Sequence, residues 1–169
     1  IRDRMNSEAP HTLDGMGYML TSVYHDQGQE MELSQDYAAI RWVQENVPGS
    51  PVIVEGVAPE YRWGARFSIN TGLPAVLGWN WHQRQQRATL PDTTVWGRLS
   101  DIEAFYYTID QKAAEQFLDR YGVAYIVVGQ LEKAYYSTDG LAKFSQWDGI
   151  LWKEVFHQGE TTIYEVIDE

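Results

Sequence analysis

The chain has 169 residues, enough for one domain with its own core, and its 44% hydrophobic and 14% aromatic content excludes a disordered tail. A formal net charge of −11 argues against a nucleic-acid partner, because such a surface repels phosphate backbones. The absence of cysteine excludes disulfides, thiolate metal ligands and cysteine nucleophiles.

The N-terminal part of the chain has no sustained hydrophobic period. We interpret residues 1 to 32 as a mostly irregular lead-in packed on an α/β domain of residues 33 to 169. No stretch approaches the roughly 20 apolar residues that cross a bilayer. Because the chain begins at Ile1 without an initiator methionine or a leader pattern, we expect it to be part of a longer protein.

A helix is predicted from Leu33 to the residues before PGS (48 to 50), with Ser34 as its N-cap. The apolar run PVIVEG follows as a short strand, and residues 74 to 77 are expected to form another.

The second half of the chain alternates helical and extended patterns. LSDIEAFYYTID and DQKAAEQFLDRYG indicate two helices, the second with Ala113, Ala114, Phe117 and Leu118 on one face and Gly122 as its stop. The continuous apolar run VAYIVVG predicts a central strand, GLAKFSQW a short helix or turn, and LWKEVFHQGETTIYEV a closing hairpin. We therefore expect an α/β fold, a single domain with a small mixed sheet flanked by helices and with a C-terminal β-hairpin.

Polar and aromatic side chains gather after three of the predicted strands, in residues 55 to 66, 78 to 87 and 129 to 133. In open α/β sheets ligands bind beyond the carboxyl ends of strands, where loops converge. Indole faces beside Asn, Gln and Arg suit a carbohydrate, and arginines suit a phosphate. The candidate ligand-binding residues are Glu55, Arg62, Trp63, Arg66, Trp79, Asn80, Trp81, His82, Arg84 and Arg87.

A structural interpretation of the same residues stays open. Trp79 and Trp81 can pack in the core, and strand-like alternation would place both on one side. The arginines can pair with some of the 24 acidic residues.

Patterns typical of catalytic, metal and cofactor sites are absent from the sequence. The four histidines lie far apart and make no paired-histidine motif, so we expect no metal site. No GxSxG motif and no glycine-rich phosphate loop occurs, so we assign no catalytic residue and expect no cofactor. Glu55 or Glu60 could act as a catalytic carboxylate, although a salt bridge from Glu55 to an arginine is the simpler expectation.

Four segments resemble a known family. They are TLDGMGYM (12 to 19), DYAAIRWVQENVPGSPVIVE (36 to 55), YRWGARFSINTGLPAVLGWNWHQRQQR (61 to 87) and YGVAYIVVGQLEKAYY (121 to 136). Together they are similar to the C-terminal soluble segment of the YYY membrane proteins of bacteria and archaea (Chlor_Arch_YYY), which are organised like glycosyltransferases of the C superfamily.

The resemblance implies a domain on the extracytoplasmic side of the cell membrane, attached to a helical bundle that this chain lacks. In the C superfamily the catalytic carboxylate lies in an early outward loop and acts with a polyprenyl-phosphate-linked sugar. Nothing here matches that loop, so the isolated domain is expected to be inactive while the full-length protein could be a glycosyltransferase. The expected partners are its own transmembrane domain and a glycan or lipid-linked sugar, with no nucleic acid.

Three functions therefore remain open. The first is an accessory domain for glycan or lipid-linked sugar binding. The second is a protein-interaction module that uses the aromatic and arginine-rich surface. The third is a free-standing hydrolase that depends on Glu55 or Glu60.

Overall fold

Two β-sheets with helices around them make up residues 10–89, 91 and 93–167, the part of the chain that the computed structural model describes. The strands are β1 (Val23–Asp26), β2 (Gln29–Glu32), β3 (Val52–Val54), β4 (Val123–Val128), β5 (Trp152–Gln158) and β6 (Thr161–Val166). The helices are α1 (Leu33–Asn46), α2 (Arg66–Thr71), α3 (Asn80–Gln86), α4 (Thr93–Tyr107), α5 (Gln111–Tyr121), α6 (Gln130–Tyr135) and α7 (Thr138–Gln146), and a 3₁₀ turn covers Gly17–Leu20.

The larger sheet is mixed and has the strand order β3-β4-β6-β5. β3 and β4 run parallel, whereas β6 is antiparallel to both β4 and β5. This arrangement confirms the predicted α/β class, the central position of the VAYIVVG strand and the closing hairpin. The connection from β3 to β4 contains α2, α3, α4 and α5, as a parallel pair requires a long crossover.

Two hydrophobic clusters cover the two faces of the larger sheet. Ile126 and Val128 of β4 belong to the cluster that contains α4, α5 and α7 side chains, whereas Val127 belongs to the cluster that contains α1. Successive residues of a strand point to opposite faces, so a strand covered on both sides is apolar throughout. This burial explains the unbroken apolar run from which the strand was predicted.

The predictions for individual helices and strands hold in outline and fail in three details. α1 and α5 form as expected, and Gly122 ends α5 in the left-handed region with φ 58°. Ser34 is not the N-cap, because α1 begins at Leu33 after an extended Glu32 whose side chain makes no cap. Ala113 is exposed, whereas the other residues of the predicted face, Ala114, Phe117 and Leu118, are buried. Residues 74 to 77 form only an isolated bridge, from Ala75 to Ile53, instead of a strand.

The lead-in holds more regular structure than the sequence indicated. β1 and β2 pair as an antiparallel hairpin across a turn in which Gln27 and Gly28 both have positive φ, at 50° and 73°. The strands have only four residues each and bury little, so their alternation is too short to detect in the sequence. Within the described part of the chain, no helix is both long and apolar enough to cross a membrane.

Lys143 is a buried lysine that ties α7 to the end of α4. Its Nζ donates hydrogen bonds to the carbonyl oxygens of Phe105 (2.6 Å), Tyr106 (3.0 Å) and Gly140 (2.9 Å). The last carbonyls of a helix lack intrahelical partners, so the lysine satisfies acceptors that would otherwise be buried without one. Burial lowers the pKa of Lys143 to about 7.

Candidate functional site

A buried arginine surrounded by carboxylates lies where the parallel strands β3 and β4 end. The Arg66 guanidinium is 1% exposed and contacts Asp36 through Nε at 2.7 Å and Glu132 through Nη2 at 2.9 Å. Glu55 lies 3.7 Å from Nη1. Two of the three loops expected to converge at this sheet edge, residues 55 to 66 and 129 to 133, therefore do meet.

Glu132 joins the ends of the two parallel strands. Its carboxylate accepts hydrogen bonds from the backbone N–H of Gly56 and of Gly129, both at 2.8 Å. A Cβ atom at Gly56 would lie 2.8 Å from Glu132 Oε1 and 2.9 Å from a ring carbon of Tyr136. Glycine at position 56 thus permits the close approach on which this junction depends.

Glu55 holds the start of α2. Its two oxygens accept hydrogen bonds from the backbone N–H groups of Phe67 (3.1 Å) and Ser68 (3.0 Å). The first N–H groups of a helix have no intrahelical acceptor, so the carboxylate takes the place of a cap residue. The short helix that carries Arg66 is anchored in this way to the end of β3.

Within the network, the pKa values of Glu55 and Glu132 shift in opposite directions. Burial raises the pKa of Glu55, against the opposing effect of Arg66 and the two N–H donors. Burial acts on Glu132 in the same direction, but Arg66 and the glycine N–H groups outweigh it and hold the pKa of Glu132 below its ordinary value. Burial lowers the pKa of Arg66, but the carboxylates outweigh it and raise that pKa well above the ordinary value. Of these two glutamates, Glu132 is therefore the one whose charged form the fold stabilises.

An open pocket of about 320 Å³ lies on the solvent side of this network. Arg62 and Asn70 contribute polar groups to its lining, and one side of Arg66 also reaches it. Five aromatic side chains line it as well: Tyr18, Tyr24, Tyr61, Trp63 and Trp79. The pocket is thus a concave aromatic surface with a few polar groups, the usual composition of a small-ligand site.

The two indoles of the pocket use their N–H groups for internal contacts. Trp63 Nε1 donates to Asp36 at 2.7 Å, and Trp79 Nε1 donates to the carbonyl of Gly64 at 3.0 Å. Tilted ring contacts join Tyr24 to Trp63, with centroids 6.0 Å apart, and Tyr61 to Trp79, 6.3 Å apart. The indoles are fixed by these contacts and offer ring surface, not N–H groups, to a ligand.

Left-handed backbone occurs at two residues beside the pocket that are not glycine. Tyr61 has φ 63° and Ala65 has φ 59°. This region costs an L-residue on the order of 1–2 kcal/mol, and such outliers cluster at functional sites. The turn at Tyr61 places its ring, 73% exposed, at the edge of the pocket.

The decapeptide of residues 78 to 87 forms a helix where strand-like alternation was considered. Trp79 precedes α3 and is partly buried, whereas Trp81 lies within α3 and is 42% exposed. Because Trp79 precedes the helix and Trp81 lies within it, the two indoles do not alternate along a strand. Asn80 is buried, and its amide oxygen has no hydrogen-bond partner among the described residues.

The candidate residues separate into three groups. Glu55 and Arg66 belong to the buried network, while Arg62, Trp63 and Trp79 line the pocket, which Arg66 also reaches. Asn80, Trp81, His82, Arg84 and Arg87 lie on or next to α3; His82 contacts the ring of Trp79, and Arg87 is exposed. Ligand contact by any of them stays a prediction.

Several residues of the site were missed in the sequence. Asp36 and Glu132 sit inside helices, where a carboxylate gives no signal of burial until its partner is known. Tyr18 and Tyr24 lie in the segment interpreted as an irregular lead-in. Trp96, which contacts Arg84, belongs to the helix after the decapeptide. A search for aromatic residues flanking the arginines would have found Trp96.

Neither a metal centre nor an open carboxylate pair is assembled in the described residues. No three His, Asp or Glu side chains within residues 10–89, 91 and 93–167 converge as metal ligands. Glu55 is 3% exposed and Glu60 is partly exposed. A hydrolase needs a carboxylate that reaches substrate, so the burial of Glu55 weighs against that hypothesis.

Comparison with known proteins finds a solved structure with a similar fold but no matching family. No known family matches the chain, and no curated protein matches it. Among solved structures it is similar to the crystal structure of the C-terminal globular domain of an oligosaccharyltransferase from Archaeoglobus fulgidus, with a TM-score of 0.50 and 14% identity. The match covers 78% of this chain and 96% of that domain. The two domains share a fold, while the resemblance to the YYY family stays a prediction.

Proposed function

We propose that this chain is the extracytoplasmic soluble domain of a multi-spanning, glycosyltransferase-like membrane protein, and that it binds a glycan or the sugar of a lipid-linked donor in the aromatic pocket. It serves an accessory role and carries no catalysis alone. The observation that supports this role most directly is the concave pocket with five aromatic side chains. The shared fold with a domain of an oligosaccharyltransferase agrees with it.

The pocket suits a sugar because rings and polar groups lie side by side. The C–H face of a pyranose packs on an aromatic ring, while its hydroxyls exchange hydrogen bonds with polar side chains. Arg62 is half exposed and lies 3.5 Å from the buried carboxylate of Asp26, so its charge is held in place beside the rings. The volume of about 320 Å³ lies at the lower end of the range of roughly 300–1,000 Å³ for ligand pockets. It favours a short glycan.

The surroundings keep the pocket in shape before a ligand arrives. The indoles of Trp63 and Trp79 are fixed by hydrogen bonds, and the Arg66 network holds the segment that connects them. A preformed site loses less conformational entropy on binding. The left-handed turn at Tyr61 fits this interpretation, because its cost is met by the fold in advance.

The test is glycan binding by the 169-residue domain, with mono- and oligosaccharides screened by ligand-observed NMR and hits measured by calorimetry. Tyr61→Ala removes a pocket ring and keeps the same left-handed backbone cost, so the substitution reports on the ring. We expect at least a tenfold loss of affinity, about 1.4 kcal/mol. Ile109→Ala, an exposed residue outside the pocket, should change nothing. Failure of the whole panel to bind, or equal binding by Tyr61→Ala, would refute the proposal.

A further inference from the structure

A second exposed aromatic surface lies on α3 and the start of α4, outside the pocket. The Arg84 guanidinium carbon lies 5.2 Å from the ring centre of Trp81 and 5.0 Å from that of Trp96. The two indoles are 42% and 44% exposed. We refer to Trp81, Arg84 and Trp96 together as the tryptophan–arginine ladder.

The ladder places one guanidinium near two partly exposed indole rings. Trp81 and Arg84 are three positions apart on α3 and therefore lie on one helix face, and α4 brings the Trp96 ring centre to within 5.0 Å of the same guanidinium carbon. Cation–π contacts of this kind restrain the long arginine side chain without neutralising its charge. The ladder thus presents two indoles and a positive charge in a preset arrangement.

The sequence segment that contains the ladder has a net charge opposite to that of the rest of the chain. Residues 78 to 100 contain three arginines and one aspartate, whereas the other 146 residues contain ten basic and 23 acidic residues. A planar surface that carries many phosphate groups would attract this segment and repel the remainder of the chain. Such a surface would therefore orient the molecule with the ladder towards it.

Trp and Arg are the residues that membrane interfaces favour. Indoles settle at the level of the lipid headgroups, and arginines are attracted to the phosphates of an anionic leaflet. We propose that the tryptophan–arginine ladder docks this domain on an anionic lipid bilayer. The proposal does not depend on the glycan site. Tyr61 contacts both Trp79 and His82, so α3 adjoins the pocket and docking would bring the pocket mouth close to the lipid surface.

The experiment is flotation of the 169-residue domain with vesicles of phosphatidylcholine alone or mixed in equal parts with phosphatidylglycerol. We expect binding to the mixed vesicles only, and a decrease with added NaCl, because the screening length falls from about 10 Å at 0.1 M to about 3 Å at 1 M. The double variant Trp81→Ala with Trp96→Ala should lose at least tenfold in binding. A matched variant that truncates two other exposed apolar residues, Ile109→Ala with Ile150→Ala, should bind like the unchanged domain.

A charge variant keeps the test decisive if the indole variant fails to fold. Arg84→Gln with Arg87→Gln retains both indoles and should also lose at least tenfold, whereas Arg41→Gln with Arg120→Gln, two exposed arginines elsewhere, should not. Equal binding to both vesicle types, no binding to the mixed vesicles, or undiminished binding by the charge variant would overturn the proposal. So would self-association in sedimentation that the ladder variant abolishes, since the ladder would then bind a second copy. Tyr61→Ala should float normally, which separates this proposal from the glycan site.

Discussion

Replacing Glu132 by glutamine tests the buried network most directly. The carboxylate accepts four hydrogen bonds, from Arg66 Nη1 (3.1 Å) and Nη2 (2.9 Å) and from the N–H groups of Gly56 and Gly129 (both 2.8 Å). Glutamine keeps one acceptor oxygen, but its NH₂ group would face donors, and the charge opposite Arg66 is lost. Breaking a buried ion pair by removing one partner costs about 3–5 kcal/mol.

We therefore expect Glu132→Gln to lower the free energy of unfolding by about 3–5 kcal/mol. The melting temperature should fall by roughly 6–20 °C, since each kcal/mol corresponds to about 2–4 °C at this chain length. Urea denaturation followed by circular dichroism gives the first quantity and calorimetry the second. The control is Glu45→Gln, which removes an exposed pair with Arg41 at 2.8 Å and should cost at most about 0.5 kcal/mol.

The pH dependence of the same variant provides an independent check. The pKa of Glu132 is lowered by folding, so its stabilising effect is fully present above its ordinary pKa of 4.5 and is lost as the pH falls through the lower folded value. The difference between Glu132→Gln and the unchanged protein should shrink on acidification below pH 4.5. A loss below about 1 kcal/mol at neutral pH, or a difference that does not respond to acid, would refute the assignment of Glu132 as the stabilised anion.

Three further changes probe other buried groups, and a fourth serves as the control for the last of them. Burial raises the pKa of Glu55, so its charge lowers the stability of the fold as the pH rises from 4.5 through the folded value. Glu55→Gln should therefore cost less stability than Glu132→Gln, and the free energy of unfolding from urea denaturation should depend less on pH over that window. An equal cost of the two variants would contradict this. Burial lowers the pKa of Lys143 from 10.5 to about 7, so unfolding takes up a proton between those pH values and the free energy of unfolding should rise from pH 7 to 9. In urea denaturation, Lys143→Met should abolish this rise. A rise that persists in the variant would exclude the lysine as its source. Gly56→Ala should cost about 1–3 kcal/mol in the same assay because of its contacts with the Glu132 side chain. Gly97→Ala, in an exposed stretch of α4 with open space around it, should instead stabilise by up to about 1 kcal/mol, and matching effects would refute the steric argument.

The parts of the fold that the sequence predicted have strong periodic or continuous apolar signals. β4 is buried on both faces and was found as an unbroken apolar run, and α5 was found from its spacing and its terminal glycine. The β1–β2 hairpin and the helix at Asn80 were missed for the opposite reason. Short elements with polar sequences are stabilised by tertiary contacts, which local patterns do not contain.

The candidate site was predictable in its location and not in its chemistry. The strand ends pointed to the segment around Glu55 and Arg66, and the structure places a buried ion network there, whereas ligand binding at it stays a prediction. The sequence could not show that Arg66 is enclosed by Asp36, Glu55 and Glu132. These carboxylates lie up to 66 residues from Arg66 along the chain, and none of them carries a local signal of its role. Burial distinguishes Arg66, which is enclosed in the network, from Arg62, which is half exposed and proposed to bind a ligand.

The position of β6 has a consequence for synthesis of the protein. β6 lies between β4 and β5 in the sheet although it follows both in the chain. A nascent chain that has completed residue 158 holds β4 and β5 but lacks the strand that joins them, so one edge of β4 stays unpaired on the ribosome. Exposed edges of apolar strands invite pairing with other chains. We therefore expect β6 to complete this sheet late in synthesis, and slow translation or cleavage between residues 158 and 161 to leave the apolar edge of β4 exposed.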